Sequence, residues 1–537
     1  MLKNNKIWFN MVYIGFWIMY VIAIIGSHKI NGGYYLMNEK VNSVLIGNGL
    51  DIQVGGDDYL NKWIIVRLLA KAKMGKYDML FMDSQKGIPL ITGDEIIRLF
   101  SGLVEIANSA RIGKYTHLVE AYGDKDILDA LKDFKKNHTN EITSIEEIGM
   151  EDWLLIFLLF LIEQKDLLEQ YQAIKQGFER MVFDAIYCEG NIQRLYSQMQ
   201  KTAKLYFSSF DNIFTLNYDN TIEKLSNRTV LHLHGDYSIK SVSENPQNAY
   251  GYLRKQKGQS IWFPPQFEHC NCNAILDFSG NRKYKYATDM TKAFLEFEKL
   301  KEMVKNNKEE LENILQKLPT EQREVFEIGI EKKLQLGHNY HFQDFEQLSG
   351  TLAIIGLAPQ NDSHIFSCIN KSNIEKIVFY HYFGKKSDDE VEEEIKTISL
   401  PINKPYVIEN VKEVWNEIKV CQPVKRTCVL SEKQLALLNA LCPQQPIDMD
   451  DILWQLDSIP TFTRRAILEM MIFEISKSKY HTTPKTEKEL YTSFIEFGKT
   501  LEVASLSPQS LYYIYITELQ SNNKMRHNQN KKRKRRK

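Results

Sequence analysis

The chain has 537 residues, 43% hydrophobic and 25% charged, a balance that suits a globular protein with a large core and roughly three domains. Its formal net charge of zero conceals a split: Lys524 to Lys537 holds nine Lys/Arg and no acid, and with those nine removed 59 basic side chains face 68 acidic ones. Such a tail gives salt-sensitive, sequence-blind attraction at most, so no specific nucleic-acid recognition is expected. The seven scattered cysteines, only Cys270 and Cys272 of them close together, argue against a disulfide framework or a four-ligand zinc module. They fit reduced thiols in the cytoplasm.

In chain order, Ile7 to Ser27 contains no Asp, Glu, Lys or Arg, which is long enough to span a bilayer. Met37, however, begins "MNEKVNSVLIGNGLD", a natural polar start before a first strand, so residues 1–36 read as a mis-called start; the alternative is an inner-membrane anchor. The strand expected at Ser43–Ile46 turns through Gly47-Asn48-Gly49 and is followed by Asp51, two further glycines and Asp57-Asp58-Tyr59. About 60–206 is helical in pattern and contains "WLLIFLLFLI", Trp153 to Ile162, too short to cross a membrane and read as a buried core helix. Further short apolar runs at Asn212–Leu216, Val230–Leu233, Leu352–Ile355 and Lys376–Tyr380 read as buried parallel strands, giving an α/β class. A second helical, charged insertion covers about 287–347. From 425 to 520 capping-box starts at Ser431 and Thr486 read as a small C-terminal all-α domain, followed by a disordered basic tail, 521–537.

Four polar clusters fall at or just after expected strand ends: Gly47-Asn48-Gly49, "TLNYDN" (Thr215 to Asn220), "HLHGD" (His232 to Asp236) and "GLAPQND" (Gly356 to Asp362). In open parallel sheets the carboxyl ends of the strands are where ligands bind, so the four converge on one edge. Singly, each has a plainer reading: Asn217 a turn residue, Asp219 a helix cap, His234 a surface imidazole. His232 lies inside its strand and reads as structural. Together they match cleavage of a bond between ribose and a cationic pyridinium, in which the leaving base departs neutral and the sugar carbon becomes positive. Amides hold the pyrophosphate, a carboxylate or amide grips the nicotinamide, and a histidine near neutral pKa serves as base. Asp51, Asp57 and Asp58, placed past the phosphates, would then attract the cationic ring.

These residues resemble the sirtuin (silent-information-regulator) superfamily over about Met37 to Gly384. Gly47-x-Gly49 with Gly55-x-x-Asp58-Tyr59 is similar to that family's early glycine turn, Thr215-x-Asn217-x-Asp219 to its T-x-N-x-D motif, and His234-Gly235 to its catalytic HG. Gly356 with Asn361-Asp362 resembles the late strand end that holds adenosine. The resemblance implies a Rossmann-like parallel sheet in a 37–400 NAD-binding domain. It implies His234 as catalytic histidine, Asn217 on the nicotinamide ribose and its water, Asp219 on the nicotinamide amide, and Gly47, Asn48 and Gly49 along the phosphates, with Asp51, Asp58, Tyr59, Thr215, Gly235, Gly356, Asn361 and Asp362 completing the cofactor contacts. No metal is implied. Leu60 replaces the arginine after the early turn, and the family's zinc module is missing, which brings the pattern closer to bacterial antiphage sirtuin-like NADases. The "IGNGLD" opening also resembles abortive-infection proteins of the AbiH type. The implied function is an NAD glycohydrolase in phage defence, with NAD as substrate, a homo-oligomeric assembly, and a phage-derived trigger or operon partner. The alternatives are a nucleotide-binding sensor without turnover and a sirtuin-type deacylase.

Overall fold

The computed structural model describes residues 42–418, apart from 83–87, 144, 164–170, 259–263, 306, 360–361 and 385, together with Pro460, Phe462, Thr463 and Ala466. Segment 1–36, Asn361, nearly all of 425–520 and the basic tail therefore lie outside the described residues. The chain divides into two units: one of 1–53 with 193–421, the other of 54–192 with 422–537.

The first unit is built on six parallel strands: β1 (Asn42–Ile46), β2 (Asn212–Thr215), β3 (Leu231–His232), β4 (Ser349–Ile355), β5 (Asn373–His381) and β6 (Tyr406–Asn410). Their order in the sheet is β3-β2-β1-β4-β5-β6. That is the doubly wound Rossmann order, in which the chain runs outward from β1 to one edge and then crosses back to the other side. The strands form because they are short, β-rich and buried: Val44, Leu45 and Ile46 have no exposure, and neither do Leu352, Ile354 and Ile355. On one face Leu45, Phe214, Leu352, Ile354, Ile377 and Phe379, alternating along their strands, join Phe342, Phe345, Ile365, Phe366 and Ile369 in a single core. The strand β6 was not expected. It lies at the sheet edge and is only partly buried along its length, so it lacks the continuous apolar run that marks the other strands.

Two glycines after β1 have a reason visible in the packing. A Cβ on Gly47 would come 2.6 Å from the Gly356 carbonyl oxygen, and one on Gly49 would come 2.5 Å from the Gly356 Cα. Gly356 itself has φ +71°, a conformation that L side chains rarely adopt. The backbones of the β1 turn and the β4 end thus touch directly, joined by hydrogen bonds from Gly47 N–H to Ile355 O and Gly49 N–H to Gly356 O, each 2.9 Å.

The second unit is helical. The helix α1 (Gly49–Gly55) begins in the first unit and ends at its boundary with the second, whose helices are α2 (Asn61–Lys73), α3 (Gly93–Arg111), α4 (Thr116–Tyr122), α5 (Lys125–Asn137), α6 (Met150–Glu163) and α7 (Tyr171–Tyr187). The apolar run on α6 is buried as expected, from Trp153 through Leu159 and on to Leu161 and Ile162. Phe100, Phe157 and Phe178 stack beside Trp153. Among the described residues no helix is long and apolar enough to cross a membrane. The next helix, α8 (Lys201–Ser208), falls in the first unit. Of the C-terminal segment, the described residues Phe462 and Thr463 both donate to the buried Asp58 carboxylate.

The glycine contact yields a stability prediction. Gly49→Ala should lose about 1–3 kcal/mol of unfolding free energy in urea, because backbone must move to admit a methyl group. Gly102→Ala, on α3 with nothing within 4 Å of the added carbon, should gain about 0.5–1 kcal/mol.

Candidate functional site

The turn after β1 is the reference point for the polar residues that follow β2 and β3. The Asn217 side-chain N–H donates to Gly47 O at 3.3 Å, and its backbone N–H donates to Thr215 Oγ1 at 3.0 Å. The Thr215 hydroxyl in turn donates to Ile46 O at 3.1 Å. Threonine and asparagine two residues apart thus tie the end of β2 to the end of β1. Asn48, at the tip of the turn, is the exposed member of the glycine cluster.

Asp219 accepts from Thr221 N–H at 2.8 Å in an Asx-type turn just before α9 (Thr221–Ser226), whose N-cap is Asn220 and not Asp219 as the helix-cap reading expected. Its other oxygen and Asp51 Oδ1 are buried and have no other partner among the described residues. Burial raises both acids, and the proximity of the Asp219 carboxylate and a hydrogen bond to it push Asp51 well above the carboxylate range. Two buried carboxyls in contact disfavour ionisation of both together. Asp51 was expected as an anion beside a cationic ring; burial against a second acid instead disfavours its charged form.

His232 is structural, as expected. Its Nδ1–H donates to Asn217 O at 2.9 Å and its Nε2–H to Glu223 at 2.5 Å. Burial alone would lower this imidazole, but the hydrogen bond and charge of Glu223, with Asp236 and the Asn217 carbonyl, lift it to about 9. The loop carrying Asn217 is therefore gripped from two sides.

His234 follows at the end of β3, buried to 3% exposure. Gly235 has φ +78°, and a Cβ there would come 2.3 Å from Asn273 O. Asp236 caps its own turn, accepting from Ser238 and Ile239 N–H. The imidazole of His234 does not stand alone: its Nε2 lies 2.9 Å from Nε2 of His364, on the first turn of α15 (Ser363–Lys371) after β4. Burial, then the Lys283 charge and His364, hold His234 well below the usual imidazole range, while burial and Lys283 hold His364 at about 3. Both rings are neutral at physiological pH. Asp362 joins them, so that one ligand atom from each of His234, Asp362 and His364 lies within 4.8 Å of the others, a grouping able to hold a metal ion. A tetrahedral zinc at about 2.0–2.1 Å from each nitrogen would need about 3.3 Å between them, wider than the contact observed.

The structure thus brings together Gly47, Asn48, Gly49, Thr215, Asn217, Asp219 and Asp51 around the ends of β1 and β2. His234 and Gly235, after β3, meet His364 and Asp362, after β4, in a second cluster, and Gly356 joins the glycine turn through its backbone contact. Asp58 and Tyr59 lie in the helical unit, where both Asp58 oxygens accept hydrogen bonds: one from Phe462 N–H, the other from Arg67 and Thr463. That gives Asp58 a structural task within that unit. Sequence reasoning passed over His364 because it sits in "SHIFSCIN", an apolar helical pattern where a lone histidine reads as core. Its place directly after the fourth polar cluster was the available signal. Compared with protein-family models, curated proteins and solved structures, the chain finds no match.

The His232–Glu223 pair should be visible in pH-dependent stability. A folded pKa of about 9 against an unfolded value near 6.5 contributes stability that is complete below pH 6.5 and lost as pH rises through 9. Partial exposure of Glu223 screens the pair, so its worth is on the order of 2 kcal/mol. In urea unfolding, Glu223→Gln should fall short of the parent protein by that amount at pH 6 and match it above pH 9.

Proposed function

We propose that the sheet-bearing unit binds NAD and cleaves it to nicotinamide and ADP-ribose, acting as an abortive-infection effector in phage defence. The observation that carries the reading is a neutral, buried His234 at the carboxyl end of β3, one strand from an Asn217 anchored to the glycine turn, on a sheet of dinucleotide-binding order. In the proposed reaction the bond between ribose C1′ and the pyridinium nitrogen breaks, its electron pair leaving with neutral nicotinamide. Water oxygen adds to C1′, and His234 takes the proton released. Asn217 positions the ribose hydroxyl and the water. Asp51 and Asp219, holding one proton between them, offer both a donor and an acceptor, which is what a carboxamide needs. The exposed Asn48 at the tip of the turn faces the phosphates. The phage-defence role rests on the resemblance of the motifs to antiphage sirtuin-like and AbiH-type proteins.

The second reading, a sensor that binds NAD without turnover, is favoured by one observation. The amides of Gly47 and Gly49 are already engaged by β4, which leaves fewer donors for a pyrophosphate.

Purified full-length protein mixed with NAD should release nicotinamide. His234→Ala should lower the rate by about 10²–10⁴-fold and Asn217→Ala by about 10²-fold. Because His234 titrates well below 6.5, the rate should stay level between pH 8 and pH 6 instead of falling as an ordinary imidazole base would. Equal release by all three proteins removes the assignment; thermal stabilisation by NAD with no product favours the sensor.

A further inference from the structure

His234 and His364 meet nitrogen to nitrogen, and a contact of that kind holds only one hydrogen. We infer that His364 is a positioning residue: it donates its Nε2–H to His234 and so holds the latter in the tautomer with Nδ1 protonated and a bare Nε2, ready to accept a proton. The kinetic consequence rests on the NAD-cleaving reading; the tautomer rests on the geometry alone.

The direction of the hydrogen bond follows from the far side of His364. Its Nδ1 is buried and has no partner among the described residues. Were His234 the donor, neutral His364 would carry its hydrogen on Nδ1, an N–H buried without an acceptor. With His364 as donor, Nδ1 is only an unfilled lone pair, the milder and commoner defect. The ring has little freedom to turn and escape this choice. A Cβ at Gly280, the first residue of α11 (Gly280–Val304), would come 2.2 Å from His364 Nδ1, so the imidazole lies directly on that glycine. The Phe342 ring, from the short helix before β4, stands 6.2 Å from His364 and 6.4 Å from His234 between ring centres. The charged groups facing the pair are Lys283 from α11 and Asp362 from the connection between β4 and α15. The ammonium opposes protonation of either ring at rest. The carboxylate stands near the imidazolium that forms when His234 accepts a proton. In the substrate complex the ribose hydroxyl or water replaces the His364 N–H at Nε2, and the proton passes from that oxygen to His234.

The test uses the full chain, labelled with ¹⁵N-histidine, and reads the tautomer by long-range ¹H–¹⁵N correlation at neutral pH. The parent protein should show His234 with Nε2 bare and Nδ1 protonated. His364→Leu should lose that preference, and His364→Gln, whose amide still donates, should restore it. In nicotinamide release, His364→Leu should lower kcat on the order of tenfold with KM little changed and move the acid limb of the pH profile upward, while His364→Gln recovers most of the rate. Gly280→Ala, which displaces the His364 ring while leaving both histidines in place, should fall between them. The inference is overturned if His234 carries its hydrogen on Nε2 in the parent protein, if the Leu and Gln variants are equally impaired, or if one zinc ion per chain bridges the two Nε2 atoms and chelation abolishes release. Absence of nicotinamide release with the tautomer as stated defeats the NAD-cleaving reading and the kinetic role, and leaves the tautomer assignment standing.

Discussion

The constraint on which the rest of the first unit depends is a backbone-to-backbone contact at the carboxyl ends of two neighbouring strands. Gly47 and Gly49 after β1 lie against Gly356 after β4 so closely that no side-chain carbon fits on any of the three. In a doubly wound sheet this is the switch point, where the connections to either side of β1 diverge and a crevice opens. The contact fixes the turn, the turn presents the Gly47 carbonyl, and that carbonyl receives the Asn217 amide. The end of β2 is thereby placed relative to β1, and β3 with His234 pairs onto β2 in register, Thr215 opposite His232. The price of this order is that the amides of Gly47 and Gly49 serve the fold before any ligand.

Charge is handled in three ways within a few residues. Asp51 and Asp219 are buried together, and burial raises both, so that two unscreened anions side by side are disfavoured. His232 is buried with Glu223 and the Asn217 carbonyl and keeps its proton, its positive charge matched across a short hydrogen bond. His234 and His364 are buried with each other near Lys283 and stay neutral. An acid pair raised by burial, a fixed cation and a neutral base are different tools made from two residue types by their surroundings. For the proposed substrate, with its anionic middle and cationic end, a neutral imidazole would be the fitting base, because a charged one would repel the pyridinium and have no lone pair to offer.

Much of the fold was legible because buried parallel strands leave a plain signature. Ser43–Ile46, Asn212–Leu216 and Leu352–Ile355 are short, largely apolar runs followed by Gly or Asn, and each holds a parallel strand, the second ending one residue early at Thr215. The strand β6 was not legible, since an edge strand needs burial on neither full face and "YVIEN" carries no continuous apolar signal. The polar residues at strand ends were legible as a set, but their individual tasks were not. The reading of Asp51 and Asp58 as anions beside a ring rested on local sequence, which does not show their distant partners. One is pushed upward by burial and by a second acid 168 residues away in sequence, and the other accepts hydrogen bonds from Arg67 and from residues near 463. His364 was hidden for the same reason: its significance lies in a contact with a residue 130 positions away, which local pattern does not encode.

The account stands or falls on where the reactive sugar sits. A crystal structure of the protein with a carbocyclic NAD analogue, which cannot be cleaved, tests this most directly. The account predicts the nicotinamide-bearing ring in the crevice at the carboxyl ends of β1, β2 and β3, with a ring hydroxyl within hydrogen-bond distance of Asn217 and of His234 Nε2. An analogue bound elsewhere, or bound there with its cleavable end turned away from both side chains, would contradict it.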